Sequence, residues 1–191
     1  MASFAMQQIP TVDTNWVIAA LDRYERPLTS YVFRLLGNLE TARDVVQDAF
    51  LKLCDQRRDD IEKRLAEWLY TVCRNAAIDV KRKEKYNIAG EIEFDFCISN
   101  APEPGEKVEK EEQYSALYES LQKLTPREQE VLRLRFQHDL SYKEISAATN
   151  QSVSHVGFLI HTGLQKLKAK LSKKQANGNS NHSTRNGAVP R

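Results

Sequence analysis

The sequence lacks most of what an enzyme, a metal site or a disulfide framework would need. Three cysteines occur in 191 residues, and this odd number includes no C-x-x-C pair. The four histidines lack metal-ligand spacing, no glycine-rich phosphate loop is present, and no serine or cysteine has an evident base nearby in sequence. We therefore expect reduced thiols, no metal or cofactor, and no catalysis. Cys73 fits an apolar helical pattern and is expected in the core, whereas Cys54 and Cys97 are left undecided.

Long apolar runs are also missing. No stretch approaches the roughly 20 apolar residues that a membrane-spanning helix needs. Residues 1–10 lack the basic start and apolar centre of a secretion signal. We expect a cytoplasmic protein without membrane insertion.

The formal net charge of +2 conceals three blocks of different sign. Residues 1–83 are nearly balanced, residues 84–112 carry nine acidic and three basic side chains, and residues 113–191 carry five acidic and twelve basic ones. Adjacent blocks of opposite charge indicate a part that binds a polyanion beside an acidic, solvated segment.

Helical periodicity begins at Asp13, with apolar residues every three or four positions. Four helices are predicted in residues 13–85. Pro27 is expected to end the first helix and open the second, Asn38 to cap the third, and the charged stretch 55–63 to form a loop before the fourth. The buried face of the third helix is predicted to comprise Ala42, Val45, Val46, Ala49, Phe50 and Leu53. Such helices can close one core.

The periodicity fails in residues 86–112, where prolines, glycines and acidic residues predict a flexible linker. Residues 92–98 alternate like a short strand, although one isolated strand is not stable alone. Residues 1–12 are expected to be flexible, and residues 175–191, rich in Asn, Ser and Gly, to be a disordered tail. The predicted fold is all-α, with two small helical domains at 13–85 and 113–174.

The second domain carries the start signals of consecutive helices. Thr125-Pro126-Arg127-Glu128 combines a threonine cap, proline at the first helical position and glutamate at the third, which is a capping box. Ser141-Tyr142-Lys143-Glu144 repeats this logic, and Ser152 is a natural cap for the last helix. Only short turns remain between these helices.

A helix-turn-helix needs a small residue where its helices cross, a turn residue that tolerates positive φ, and a buried aliphatic residue in its second helix. Ser146, Asn150 and Val156 stand at these relative positions. The inward face of the second helix is predicted to comprise Val153, Val156, Ile160, Leu164, Leu167 and Leu171. Candidate DNA contacts on and beside the opposite face are Ser152, Ser154, His155, Phe158, His161 and Lys166.

Lysines follow this face, at 166, 168, 170, 173 and 174, with no acidic residue from 152 to 174. Such a cluster adds salt-dependent affinity for a nucleic-acid backbone. Lysines near a helix end also complement the helix dipole, and exposed histidines are usually only solvated, so both interpretations stay open.

Several stretches resemble sigma factors of the extracytoplasmic-function type. Asp44-Val45-Val46-Gln47-Asp48-Ala49-Phe50 and the stretch from Trp68 to Arg82 resemble region 2 of that family. Leu124-Thr125-Pro126-Arg127-Glu128 and Tyr142-Lys143-Glu144-Ile145-Ser146 resemble its region 4. The resemblance covers about residues 13–171, with the linker between the two regions.

This resemblance implies a protein that binds core RNA polymerase and promoter DNA, with an anti-sigma factor as a further partner. The clamp helices of the largest catalytic subunit would receive the helix that carries Asp44, Gln47, Asp48 and Phe50. The minus-10 element would be opened and read after Trp68, with Arg74, Asn75, Lys81, Arg82 and Lys83 as candidate contacts. Region 4 would read the minus-35 element, and the linker would run toward the RNA exit path.

Some features leave alternatives open. Asn75 can read a base edge or brace its helix. Gly157 and Gly163 interrupt the proposed recognition helix at about 1 kcal/mol each relative to alanine, and either can permit close approach to DNA or to a neighbouring helix. A helix-turn-helix regulator that binds an operator without replacing sigma is the alternative function, although it does not explain a basic, aromatic-containing helix in the first domain.

Overall fold

The computed structural model describes residues 14–86, 121 and 123–180, with side chains for 14–84, 121 and 123–169. These residues form helices and turns with no strand, which confirms the all-α class. The first module contains α1 (Thr14–Leu36), α2 (Leu39–Cys54), α3 (Arg58–Ile61), a 3₁₀ turn (Glu62–Arg64) and α4 (Leu65–Tyr86). The second module contains α5 (Pro126–Phe136), α6 (Tyr142–Thr149) and α7 (Val153–Ser180).

The predicted break at Pro27 is wrong, because α1 runs through it. Proline lacks the N–H that would bond the carbonyl of Arg23. The helix nevertheless continues, since Ala20 before the proline and Leu28 and Tyr31 after it are buried in the same core. Tertiary packing on both sides therefore outweighs the lost backbone hydrogen bond.

The remaining core of the first module follows the sequence pattern closely. Asn38 caps α2 by accepting a hydrogen bond from the backbone N–H of Thr41 at 3.1 Å, and the six predicted inward residues of α2 are all buried. Cys73 is fully buried, as expected. The predicted loop 55–63 is wrong in part, because it contains α3 and most of the 3₁₀ turn, with Ile61 buried as an anchor.

Local signals locate the helix-turn-helix correctly. Thr125 and Ser141 each form a complete capping box, and Ser152 accepts a hydrogen bond from the backbone N–H of His155 at 3.2 Å. Asn150 ends α6 with φ of 53° in the left-handed region. Val156 is fully buried between the two helices.

The predicted inward face of α7 needs two corrections. Val153 and Leu164 are exposed, whereas Leu159 and Gly163 are buried beside Val156 and Ile160. The side chain of Leu171 lies outside the described set. The expected tail from 175 is helical as far as Ser180, and residues 181–191, the linker, the possible strand at 92–98 and the N-terminal 1–12 lie outside the described residues.

The two modules are in contact, a placement that the sequence left open. Their buried apolar residues form one continuous cluster, and α4 packs against α6. Helix α5 is buried along most of its length, including three charged side chains, Glu128, Glu130 and Arg133. It lies between α7 on one side and the first module on the other, as the contacts of Glu128 and Glu130 with Lys166 and Arg74 show.

Candidate nucleic-acid interface

The outer face of α7 presents the predicted minus-35 contacts to solvent. Ser154, His155, Phe158 and His161 are all exposed. The rings of His155 and Phe158 stack, with centroids 6.2 Å apart and planes 19° from parallel, and Phe158 is 62 % exposed. A flat aromatic surface next to hydrogen-bonding groups can contact base edges and thymine methyl groups in a major groove.

Two other predicted contacts on this helix have structural partners. The Oγ of Ser152 caps α7, so its hydroxyl already serves the helix start. The ammonium of Lys166 donates to both carboxylate oxygens of Glu128, at 2.7 and 2.9 Å. Burial alone would raise the pKa of Glu128, but Lys166 and Thr125 outweigh it and the pKa is lowered. The pair holds α7 against α5.

Gly163 permits this close approach of helices. A Cβ at this position would lie 2.8 Å from Cδ1 of Leu132 on α5, whereas at Gly157 it would lie no closer than 3.7 Å, from Cε2 of Tyr142. The sequence left open whether Gly163 permits close approach of DNA or of a neighbouring helix. In the structure, Gly163 makes room for the neighbouring helix α5.

The basic residues at the end of α4 form the second candidate surface. Asn75, Arg82 and Lys83 are exposed and Lys81 is half-buried. Arg82 forms an ion pair with Asp79 one turn earlier. This exposed pair leaves the guanidinium at the surface, where a phosphate can compete for it.

Arg74, predicted to contact DNA from the same helix, is buried instead. Its Nε donates to Oε1 of Glu130 at 2.8 Å, and the side chains of Arg74 and Glu130 are 11 % and 2 % exposed. Burial alone would lower the pKa of Arg74, but the carboxylate of Glu130 raises it overall. In this arrangement Arg74 serves the contact between modules and cannot reach DNA.

The predicted polymerase-binding helix presents three of its four residues. Asp44, Gln47 and Asp48 are exposed on one face of α2, while Phe50 is buried, with 6 % of its surface exposed. Beside this face α1 and α2 leave a groove of about 370 Å³. Its lining includes Gln47, Phe50 and the exposed apolar side chains of Leu21 and Leu51.

Sequence reasoning missed the residues that join the modules. The hydroxyl of Tyr31 donates to Oε1 of Glu130 at 2.9 Å, and the ring of His138 lies 6.0 Å from the ring of Tyr31 and 5.3 Å from that of Tyr70. Burial of Tyr31 and of Tyr70 raises the pKa of both phenols. The one available signal was Glu130 itself, an acidic residue directly before the apolar pair Val131 and Leu132 in a predicted helix.

The described residues contain neither a metal-binding cluster nor a membrane-spanning helix. Among residues 14–86 and 123–180, no cluster of His, Cys, Asp and Glu could hold a metal ion. No helix in the described part of the chain is long and apolar enough to cross a membrane.

Comparison with known proteins agrees with both modules. The family model for Sigma-70 region 2 matches residues 20–86, and that for Sigma-70, region 4 matches residues 120–169. The sigma factor RpoE from Bartonella quintana, solved in complex with the anti-sigma factor NepR, shares the fold with a TM-score of 0.59 at 20 % identity. The alignment covers 81 % of this chain and 96 % of that one.

Curated relatives extend the match along the chain. The ECF RNA polymerase sigma factor SigW of Bacillus subtilis is 26 % identical over 176 residues, covering 87 % of this chain and 94 % of its own length. RNA polymerase sigma factor YlaC of the same organism is 29 % identical over 155 residues, covering 79 % and 89 %. Since the two family models together span more than half of the chain, in this order, the chain belongs to the sigma-70 family, and SigW, to which it is similar along most of its length, is one of that family's extracytoplasmic-function members.

Proposed function

We propose that this protein binds core RNA polymerase and directs it to promoters, with the second module reading the minus-35 element and the first module opening and reading the minus-10 element. The observation that carries the proposal is the pairing of two DNA-facing surfaces in one sigma-family chain. One is the exposed face of α7, the second helix of the helix-turn-helix, and the other is the basic end of α4.

In the second module we assign reading to Ser154, His155, Phe158 and His161. A recognition helix contacts base edges with its N-terminal part and phosphates with flanking basic residues. The exposed stack of His155 on Phe158 lies in the first two turns of α7, which is the part that enters the groove. Lysines further along α7 supply affinity without sequence preference.

In the first module, Asn75, Arg82 and Lys83 follow the melted strand from the exposed side of α4, with Lys81 beside them. Unstacked bases cost a few kcal/mol each to hold apart, so the protein must offset that cost with backbone and stacking contacts. Arg74 joins this set only after the modules separate, because Glu130 holds it in the described arrangement.

The groove between α1 and α2 is the docking surface for core polymerase. Glu25 and Gln47 line it with an acidic and an amide group, Asp44 and Asp48 are exposed on the same helix as Gln47, and Leu21 and Leu51 expose apolar surface, Leu51 by 66 %. An amphipathic helix with basic flanks fits such a groove, and the clamp helices of the largest polymerase subunit are the occupant that the family assignment implies. An anti-sigma factor is a further partner.

We further infer that the protein acts in the cytoplasm and catalyses no bond chemistry itself. Sigma factors change where polymerase starts, and the two DNA-facing surfaces suit that task. A regulator that leaves sigma in place is not favoured, because the chain matches region 2 as well as region 4.

Transcription in vitro tests the proposal. Core polymerase with and without the full chain would be given a promoter library, and the start sites would be sequenced. We expect starts that depend on the chain, downstream of one shared pair of sequence elements. If the folded chain produces none, or binds an operator but ignores core polymerase, the proposal is wrong.

A matched pair of variants tests the assigned readers. Phe158→Ala and Phe136→Ala each remove one aromatic ring of nearly equal exposure, 62 % and 61 %, but only Phe158 lies on α7. We expect Phe158→Ala to relax sequence preference in the minus-35 element by about 1–3 kcal/mol at the contacted position. Phe136→Ala should leave that preference unchanged, and an equal loss in both would refute the assignment.

A further inference from the structure

The contact between the modules centres on a buried carboxylate. Glu130 of α5 accepts one hydrogen bond from the hydroxyl of Tyr31 on α1, at 2.9 Å, and one from Nε of Arg74 on α4, at 2.8 Å. A second Arg74 nitrogen lies 3.4 Å from the other carboxylate oxygen. We call Tyr31, Arg74 and Glu130 the latch.

Aromatic rings enclose the latch. Tyr31 and Tyr70 meet edge to face with centroids 5.3 Å apart, and His138, from the segment after α5, packs against both. The Nδ1 of His138 is buried and has no hydrogen-bond partner among the described residues. The rings exclude water from the charges, which strengthens the ion pair and makes loss of either partner costly.

The three groups of the latch depend on one another. A carboxylate 2 % exposed is tolerated only while it is paired, and the same holds for the guanidinium. In an open state both charges must regain water, because neither keeps its partner. The contact therefore has two defined states, joined or fully hydrated, as a conformational switch requires.

The closed arrangement affects the two DNA-facing surfaces differently. The reading face of α7 stays exposed, whereas Arg74 is removed from the surface of α4. We propose that the latch is an autoinhibitory contact, which keeps the free chain closed and withholds Arg74 from promoter DNA until binding of core polymerase separates the modules. This inference rests on the proposed function for the role of DNA, but closure itself is a property of the free chain.

Distances between spin labels on the full chain test closure. Labels at Glu40→Cys on α2 and Ala169→Cys on α7 occupy exposed positions of the two modules. Cys54→Ser and Cys97→Ser remove two native thiols. Cys73 can stay, because burial raises the pKa of its thiol to about 12 and keeps it unreactive.

We expect one narrow distance population in the parent chain. Glu130→Gln keeps the shape but removes the charge opposite Arg74, and should shift the closed-to-open ratio by about 100-fold. Tyr31→Phe removes one hydrogen bond to a charged group and should shift it about tenfold. Glu62→Gln is the control, since it deletes the same charge from an exposed pair with Arg58, and should leave the distance unchanged.

A narrow, parent-like distribution in Glu130→Gln and Tyr31→Phe, with helix content intact by circular dichroism, would overturn the latch. If Glu130→Gln fails to fold, Tyr31→Phe alone decides, because it retains the buried ion pair. These measurements use neither DNA nor polymerase. A result that overturns the latch therefore leaves the proposed function untouched, and failure of transcription with core polymerase leaves the latch untouched.

Sequestration of Arg74 has its own readout. Binding of a random-sequence single-stranded oligonucleotide by fluorescence anisotropy should be about tenfold tighter for Glu130→Gln than for Glu62→Gln, the range expected for one additional backbone contact. Adding Arg74→Ala should remove that gain. Equal affinity of Glu130→Gln and Glu62→Gln would show that Arg74 is not withheld from DNA.

Discussion

Replacing each of the two glycines of α7 by alanine should change stability in opposite directions. Alanine is favoured over glycine inside a helix by about 0.8–1 kcal/mol. At Gly157 the new Cβ would meet only Tyr142, at 3.7 Å or more, which is ordinary contact. We therefore expect Gly157→Ala to raise the free energy of unfolding by up to about 1 kcal/mol.

The same change at Gly163 meets Leu132, whose Cδ1 would lie 2.8 Å from the new Cβ and whose Cγ would lie at 3.5 Å. Leu132 is 4 % exposed and has little room to turn away. Overpacking of a filled core costs about 1–3 kcal/mol, which exceeds the gain in helix propensity. Gly163→Ala should therefore be less stable than the parent and about 1–3 kcal/mol less stable than Gly157→Ala.

Urea unfolding of the three proteins measures this difference directly. Leu132→Val provides a further check, because valine has no atom at the δ position. In that background the penalty of Gly163→Ala should shrink, and coupling between contacting residues of this kind is typically 0.5–3 kcal/mol. If Gly163→Ala stabilises the protein as much as Gly157→Ala does, the close approach of α7 to α5 is not as described.

Three further predictions concern single groups. Burial lowers the pKa of His138 from 6.5 to about 4, so the unfolded chain binds the proton more tightly than the folded one. The free energy of unfolding should therefore fall as the pH is lowered from 6.5 to 4, by at most about 3 kcal/mol. In His138→Phe, the urea midpoint should lack this part of the pH dependence. Asn150→Ala should lower the free energy of unfolding by about 1–2 kcal/mol, because φ at this position is 53°, and Asn150→Gly should lower it by less. Equal thermal midpoints of the two variants would contradict this. Lys166→Met should lower the free energy of unfolding by about 1–3 kcal/mol, because it leaves the carboxylate of Glu128, 4 % exposed, with only the backbone N–H of Thr125 as a donor. Because the pKa of Glu128 is lowered in the folded state, this cost in urea unfolding should vanish as Glu128 is protonated in acid.

Local chemistry made the helix-turn-helix predictable. Thr125, Ser141 and Asn150 act through atoms within a few residues of themselves, so a cap or a left-handed turn can be recognised from the sequence alone. The apolar face of α2 was predictable for the same reason, since apolar residues that recur at the helical period all lie on one face of the helix.

Capping and periodicity rules were insufficient where packing between helices decides which side chains are buried. Val153 and Leu164 fit the apolar period of α7 but are exposed, because α5 reaches α7 at Gly163 and shifts the buried stripe toward Leu159. Pro27 shows the opposite effect: α1 continues through this strong local helix breaker because both halves of α1 pack on the same core. The assigned reading face of α7 was predicted correctly as exposed, although its contact with DNA stays a prediction.

The contact between modules could not be predicted, because its partners are separated by 99 residues between Tyr31 and Glu130 and by 56 between Arg74 and Glu130. No periodicity or cap rule links residues so far apart. A buried glutamate in α5 indicates only that some cation must lie near it. Which cation, and from which helix, depends on how two folded modules meet.

The polar character of that contact bears on how the chain can change state. A buried ion pair adds little net stability compared with apolar side chains of the same volume, because desolvation cancels most of the attraction, yet it is strongly destabilising when only one partner is removed. Within each module the core is mostly apolar and has no reason to open. Between the modules, Tyr31, Arg74 and Glu130 form their hydrogen bonds only when all three are in register. The ion pair therefore sets the register of the contact, while the apolar residues that also meet between the modules add a cost that a partner such as polymerase must offset to separate them.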